Sequence, residues 1–319
     1  MHVLFIIDPI DTLKAYKDSS VAMMFALATQ GHSVSVCKQD DLYIEQGQVL
    51  CRGQAITVHP HADLHSQHWF DLVDAPRELP LSAYAAVLMR KDPPFDMEYV
   101  YVTHMLDVAE KQGARVFNRG VAIRNHPEKL AITEFSEFTT PTLVTSNIDR
   151  LKAFHDKHGD VIVKPLDGMG GTGIFRMLQG EPNRGAILEM LTHFGQQTIM
   201  AQRYIPEIVQ GDKRVLIING EPIPFALARI PLAGETRGNL AAGGRGVAQP
   251  LTERDQYIAR TIGAQLAPRG LFLIGLDIIG EYVTEINVTS PTCFVEITEQ
   301  TDFHVANHFV QSLEKVLSA

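Results

Sequence analysis

The chain has 319 residues, 45% apolar and 20% charged, with a formal charge of −9. Length and composition fit a folded protein of about two domains and argue against disorder. An acidic chain without a basic tail argues against nucleic acid as a partner, because duplex binding draws its affinity from Lys and Arg at the phosphates.

The N-terminus, Met1-His-Val-Leu-Phe-Ile-Ile-Asp8, lacks the basic start and cleavage site of a signal peptide and reads as a first buried strand over 3–7. Asp18-Ser19-Ser20 can cap a helix that runs to about Gln30, with Gly31 as its stop and a strand at 33–37. Residues 41–58 read as a hairpin turning near Gln46-Gly47, 84–89 as a strand, 96–112 as a helix ended by Gly113, and 115–118 as a strand. Strands alternating with helices predict a parallel sheet covered on both faces, forming a first domain over 1–123. No apolar run reaches the roughly 20 residues that span a bilayer, so no membrane partner is expected. Cys37, Cys51 and Cys293 are odd in number and far apart. They form neither a disulfide framework nor a zinc site, and the cytoplasm is the expected compartment.

From 124 the pattern changes. A helix is expected at about 127–137, a strand near 141–145 and a helix at 148–158. Strands at 161–164 and 173–177 flank a glycine-rich loop. After a helix near 184–194 come strands at 198–203, 213–218 and 223–229, the last two joined by the turn signal Asn219-Gly220. Residues 231–249 are rich in Gly, Ala and Arg and too long for a tight connection, which predicts a mobile functional loop. A helix at 252–267, strands at 271–279 and 282–288, and a closing helix complete the chain.

The segment from Val163 to Phe175 holds four glycines between Gly168 and Gly173, entered by Lys164. Glycines let backbone N–H groups turn towards an anion and let the chain come close to it. A hairpin needing positive φ would explain some of them, but there are more than one turn requires. A Walker A loop would place its lysine last and open a helix, and a dinucleotide fingerprint needs a strand-to-helix step. Here the lysine comes first and a strand follows. The remaining reading is a flap that closes over phosphates.

A second constellation lies near the C-terminus. Glu285 and Asn287 are two apart and share one face of a strand. A carboxylate and an amide oxygen side by side suit magnesium. Asp277 joins that face only if the intervening turn is odd or the hairpin carries a bulge; an even two-residue turn would set it opposite. Solvent-facing polarity is the plainer reading of this pair alone, and the flap elsewhere in the chain tips it towards metal.

The order of these features, Lys164 before a glycine flap, the segment Ala201-Gln-Arg-Tyr-Ile205, then Asp277 with Glu285-Ile-Asn287, resembles the ATP-grasp superfamily. Four stretches more closely resemble the bacterial glutathione synthetase family. They are Met89-Arg-Lys-Asp-Pro-Pro-Phe-Asp96, Lys164-Pro-Leu-Asp-Gly-Met-Gly-Gly171, the run from Gly234 to Gly246, and Thr284-Glu-Ile-Asn-Val-Thr-Ser-Pro-Thr-Cys293. The resemblance implies an α/β and α+β fold: an N-terminal parallel domain (1–123), a lid domain with the glycine loop (124–204), and a C-terminal antiparallel domain (205–319) carrying the metal hairpin and a mobile loop at 231–246. It also implies an ATP- and Mg2+-dependent ligase, with Mn2+ as a possible substitute, that joins γ-glutamylcysteine to glycine through an acyl phosphate. A homotetramer is implied too. On this resemblance Lys129 and Lys164 would hold phosphates under Gly168, Met169, Gly170 and Gly171. Gln202, Arg203, Tyr204 and Ile205 would hold the adenine and Asp212 the ribose. Arg214 and Arg229 would face the terminal phosphate, and Asp277, Glu285 and Asn287 would bind the metal. Lys17, Ser19, Arg90, Arg237, Ser290 and Thr292 would line the substrate side, and Lys213 has no role.

Phosphoryl transfer asks mainly for positioning and charge stabilisation, which these groups supply without a protein nucleophile. An acyl phosphate hydrolyses easily, which gives a lid its purpose. A different ATP-grasp ligase and a non-catalytic ATP binder remain open alternatives. His61 and His65 have a spacing that binds zinc on a helix, but Pro60 argues against a helix there. Cys293 reads as structural or beside substrate rather than as a nucleophile. Asp8 and Asp11 read equally as caps or as substrate contacts, and Met23-Met24-Phe25 as core.

Overall fold

The computed structural model describes every residue except 61, 67, 233, 236, 237, 239, 241 and 242. The first sheet comprises β1 (His2–Ile6), β2 (Ser33–Cys37), β3 (Leu42–Glu45), β4 (Gln48–Val58), β5 (Phe70–Pro80), β6 (Ala86–Met89) and β7 (Val116–Phe117). Its order is β3-β4-β2-β1-β6-β7, with β5 paired to β4. The helices α1 (Ser19–Thr29), α2 (Met97–Lys111) and α3 (Gly120–Asn125) accompany it. Both long helices start at an aspartate cap: Asp18 accepts from Ser20 N and Val21 N, and Asp96 from Tyr99 N. Strand alternation divides the core in two. Leu4 and Ile6 of β1 join Tyr99, Val102 and Leu106 of α2, while Val3 and Phe5 join Met23, Met24 and Leu27 of α1. Full burial of each such side chain stabilises the fold by roughly 1.5–3 kcal/mol.

The sheet is mixed rather than wholly parallel. β2, β1, β6 and β7 are parallel, whereas β3, β4 and β5 add antiparallel pairs at one edge. Residues 71–78 of β5 are exposed and show no alternation, so only pairing to β4 defines that strand.

The second sheet holds β8 (Thr142–Thr145), β9 (Val161–Pro165), β10 (Phe175–Met177) and β11 (Ile199–Arg203), with α4 (Ile148–His158) and α5 (Arg184–Leu191) on one face. Val161, Val163, Ile199 and Ala201 face those helices and close a small core with Leu151 and Leu188. The expected helix near 127–137 is instead a 3-10 run, Leu130–Phe138, broken at Phe135.

The third sheet, β12 (Asp212–Ile218), β13 (Glu221–Ile230), β14 (Arg245–Pro250), β15 (Leu273–Ile279) and β16 (Tyr282–Asn287), has the order β14-β13-β12-β15-β16 and is antiparallel throughout. Asn219 and Gly220 join β12 to β13 with φ of 51° and 86°, the left-handed pair a two-residue hairpin needs. β14 claims the end of the stretch expected to be loop, and residues 233, 236, 237, 239, 241 and 242 of the predicted mobile segment fall outside the described residues. α6 (Glu253–Leu266) backs this sheet, and the expected closing helix is two, α7 (Phe294–Gln300) and α8 (Val305–Ser318). Among the described residues no helix is long and apolar enough to cross a membrane.

Candidate active site between two sheets

Period-2 alternation places six of the polar candidates on one face of the third sheet. Across the ladder Asp212 pairs with Arg229, Arg214 with Asp277, Asp277 with Glu285, and Gly275 with Asn287. The hairpin between β15 and β16 turns on two residues, which alone would pair Asp277 with Thr284 and put it on the other face from Glu285. A bulge restores the match. The register shifts between Asp277 and Ile278, leaving Thr284 as the extra residue. Lys213, between Asp212 and Arg214, faces the other way. It forms a salt bridge with Asp255 of α6 and donates to Gly280 O at 3.0 Å, which accounts for its lack of a role in the cleft.

Two arginines hold Asp277. Arg214 donates through Nε and Nη2 at 2.5 and 3.2 Å, and Arg229 Nη2 lies 2.9 Å away. Burial would raise this carboxyl, but the two guanidinium groups hold it well below the usual carboxylate range. Arg229 also donates to Asp212 Oδ2 at 2.6 Å, whose Oδ1 is buried without a partner. Burial raises Asp212 to about 6 against the pull of Arg229. Gly275 makes room for Arg214: a Cβ there would lie 2.9 Å from Arg214 Cδ and 2.9 Å from Pro291 Cβ.

The second sheet faces this array with Ile162, Lys164 and Gln202. Lys164 Nζ donates at 3.0 Å to the carbonyl of Thr284, the bulged residue. Burial lowers Lys164 to about 8, with Glu285 pulling the other way. Lys129 Nζ donates to Glu285 Oε1 at 3.0 Å and to the flap carbonyl of Gly168, so it ties the flap to the hairpin. Gly168, Met169, Gly170 and Gly171 line the cleft, and Gly170 and Gly171 take φ of 64° and 83°, which only glycine adopts freely. Gln202, Arg203, Tyr204 and Ile205 continue the wall towards Asp212. The Arg203 N–H already donates to Pro141 O at 3.0 Å.

The cleft, about 680 Å³, runs on to Lys17, Asp92, Ser290, Thr292 and Cys293. Ser290 Oγ donates to Asp92 Oδ1. Arg90 and Ser19, expected on the substrate side, stand behind the wall. Arg90 donates to Ser20 Oγ and Pro291 O, both at 3.0 Å, and Ser19 Oγ accepts from Phe294 N at 3.2 Å. Arg237 lies outside the described residues, as does His61 of the proposed zinc spacing. His59 instead pairs with Asp71 at 3.0 Å, and His65 stacks on Tyr16. Cys293 is a buried free thiol, raised by burial.

Two positioning residues escaped the sequence reading. Glu128 accepts from Val288 N, Thr289 N and Thr289 Oγ1 at 2.9, 3.1 and 2.7 Å, fixing the chain just past Asn287. Asn118 donates to Leu273 O and Val288 O at 2.7 and 2.8 Å and accepts from Leu273 N at 2.8 Å. No local motif marks either one, because their partners lie 155–170 residues away or 160–161 residues away.

The donor set suits a hard cation. Asn287 Nδ2 donates to Gly275 O at 3.1 Å, which leaves its Oδ1 to join carboxylates Asp277 and Glu285 as oxygen donors. Among the described residues there is no group of three or more His, Cys, Asp or Glu that could hold a metal, so the amide is what completes the trio.

Two facing antiparallel sheets with Lys164 on one and an acid–arginine array on the other define an ATP-grasp architecture. The structure matches an ATP-grasp RimK-domain protein from Sphaerobacter thermophilus with a TM-score of 0.64 over 98% of this chain and 99% of that one, at 15% identity. The chain belongs to the prokaryotic glutathione synthetase family: the family's N-terminal domain model matches residues 1–124 and its ATP-grasp domain model residues 128–302. It is 68% identical to the glutathione synthetase of Bordetella parapertussis over 98% of this chain and 99% of the relative. It is 56% identical to that of Ralstonia nicotianae over 99% and 96%.

Proposed function

We propose that this chain joins the carboxylate of γ-glutamylcysteine to the amine of glycine, releasing ADP, phosphate and glutathione. ATP-dependent ligation is the activity of the family to which it belongs, with ATP and a divalent metal ion as requirements. That the ion is Mg2+, with Mn2+ as a substitute, that the enzyme is a cytoplasmic homotetramer, and that 1–123, 124–204 and 205–319 act as substrate-side, lid and catalytic domains are parts of the same proposal.

The observation that carries it is the shared face on which Arg214 and Arg229 meet Asp277, Glu285 and Asn287, opposite Lys164. Asp277, Glu285 and Asn287 would hold the metal, which neutralises phosphate charge when bound. Lys129 and Lys164 hold phosphates beneath the flap at 168–171. Residues 202–205 and Asp212 take the nucleoside. Arg214 and Arg229 face the phosphoryl group as it passes to the donor carboxylate, and Lys17, Ser290 and Thr292 hold the dipeptide. Ser19 and Arg90 brace that wall from behind, and Arg237 is a further substrate-binding residue of the same proposal. The carboxylate becomes an acyl phosphate, and the amine displaces its phosphate.

The test is a product assay with ATP, Mg2+, γ-glutamylcysteine and glycine. Glutathione should form in step with ADP. No turnover with this set, alongside turnover of another amino-acid pair, would refute the substrate assignment.

A further inference from the structure

The proposed ligation leaves one proton unassigned. The acceptor arrives as an ammonium ion, which has no lone pair with which to attack an acyl phosphate. Some group in the cleft must remove a proton at the substrate end.

Most carboxylates on the cleft wall are committed. Asp18 caps α1, Asp92 accepts from Ser290, and Asp8 accepts from Asp92 N. Glu128 accepts three hydrogen bonds, Asp277 is held by two arginines and Glu285 by Lys129. Two wall carboxylates keep a buried oxygen without a partner, Asp212 through Oδ1 and Glu296 through Oε2. Asp212 stands at the nucleotide end, beside Ile279 and Arg229. Glu296 stands at the other. It lies in α7, one turn beyond Cys293, where the charges of Lys17 and Arg214 both reach it. Lys17 marks the substrate end and Arg214 the phosphoryl end.

We propose that Glu296 is the base that takes the proton from the acceptor amine. Its Oε2 accepts one proton from the ammonium group, and the freed nitrogen lone pair forms the C–N bond. The bond from carbonyl carbon to phosphate oxygen breaks and phosphate departs with its electron pair. The nitrogen sheds its second proton to the departing phosphate or to solvent. Burial raises the Glu296 carboxyl above the ordinary glutamate value, towards the range in which a base works near neutrality. Elements packed against α7 carry Lys17 and Asp18 at the head of α1, Arg229 on β13, Arg245 on β14 and His308 on α8. Cys293 and Glu299 flank Glu296 on its own segment.

This inference rests on the proposed ligation, and the experiment separates the two. Initial rates are measured for wild type and Glu296→Gln across neutral to alkaline pH, with glycine and then with hydroxylamine, an amine largely unprotonated at neutral pH. With glycine, Glu296→Gln should lose about 100-fold or more in kcat/KM near neutrality. It should recover as pH rises and lack the acidic inflection of the wild type. With hydroxylamine the loss should be far smaller, and Glu296→Asp should restore part of the glycine rate. Equal losses with both amines, or an unchanged glycine rate, would overturn the role of Glu296. A wild type inert with glycine would instead overturn the proposed ligation. Matching melting temperatures show that both variants fold.

Discussion

Lys164, the proposed phosphate ligand, shows what burying an ammonium group costs. Burial brings its ammonium from 10.5 to about 8. With the folded value below the unfolded one, the charged form costs stability at pH below about 8, and the cost fades as pH rises from there towards 10.5. The gap corresponds to roughly 3 kcal/mol, less about 1 kcal/mol for the bond to Thr284 O. Lys164→Met should therefore abolish ATP-dependent turnover and yet raise the melting temperature by a few degrees at neutral pH, with the gain shrinking at alkaline pH. Calorimetry across pH checks the sign, and a lower melting temperature at pH 7 would refute it. The place of Lys164 in the cleft beside the glycine run was legible because the residue type and its position on the strand suffice. The roles of Glu128 and Asn118 were not legible, because each is defined by partners that only the fold brings near.

At the scale of elements, the hairpin of β15 and β16 depends on an irregularity. Sequence periodicity identified Glu285 and Asn287 as neighbours on one face, but it could not locate the bulge at Thr284 that brings Asp277 across from Glu285. Regular helices were legible from their end signals, the first from its cap Asp18 and the second from its stop at Gly113. The exposed strand β5 and the broken turn at Leu130–Phe138 were not, since backbone pairing and tertiary contact decide them rather than any local period. The same hairpin makes a further prediction. In Gly275→Ala the new methyl group would lie 2.9 Å from Arg214 Cδ and from Pro291 Cβ, so the arginine stem or the 290–292 segment must move. The expected result is a fall in kcat of about 10-fold or more with a destabilisation of about 1–3 kcal/mol. Steady-state kinetics and denaturant unfolding check it, and wild-type kcat would show that Arg214 tolerates displacement.

Across the whole molecule, the first sheet and the third are joined by few but buried polar contacts. Asn118, just after β7, bonds both strands' ends at Leu273 and Val288 and so fixes the β15–β16 hairpin relative to the N-terminal sheet. Asn118→Ala should cost about 2–4 kcal/mol, because three backbone groups lose buried partners at once. It should also weaken the apparent affinity for the metal, read from the Mg2+ dependence of turnover. A change in stability with no change in metal dependence would limit Asn118 to the fold. Within a chain of formal charge −9, the cleft sets Lys17, Lys129, Lys164, Arg214 and Arg229 among the wall carboxylates, so its cations stand largely in ion pairs rather than as a net positive field.

The grip of Arg214 and Arg229 on Asp277 has a consequence for turnover. The carboxylate is an internal rival for the guanidinium groups that nucleotide phosphates would claim, covalently attached and therefore always present at high effective concentration. On the proposed roles, anion binding would be an exchange of partners rather than the capture of idle charges, which caps affinity. The same rivalry works on departure. As products left, Asp277 would take the arginines back, and the site would return to the ion pairs seen here.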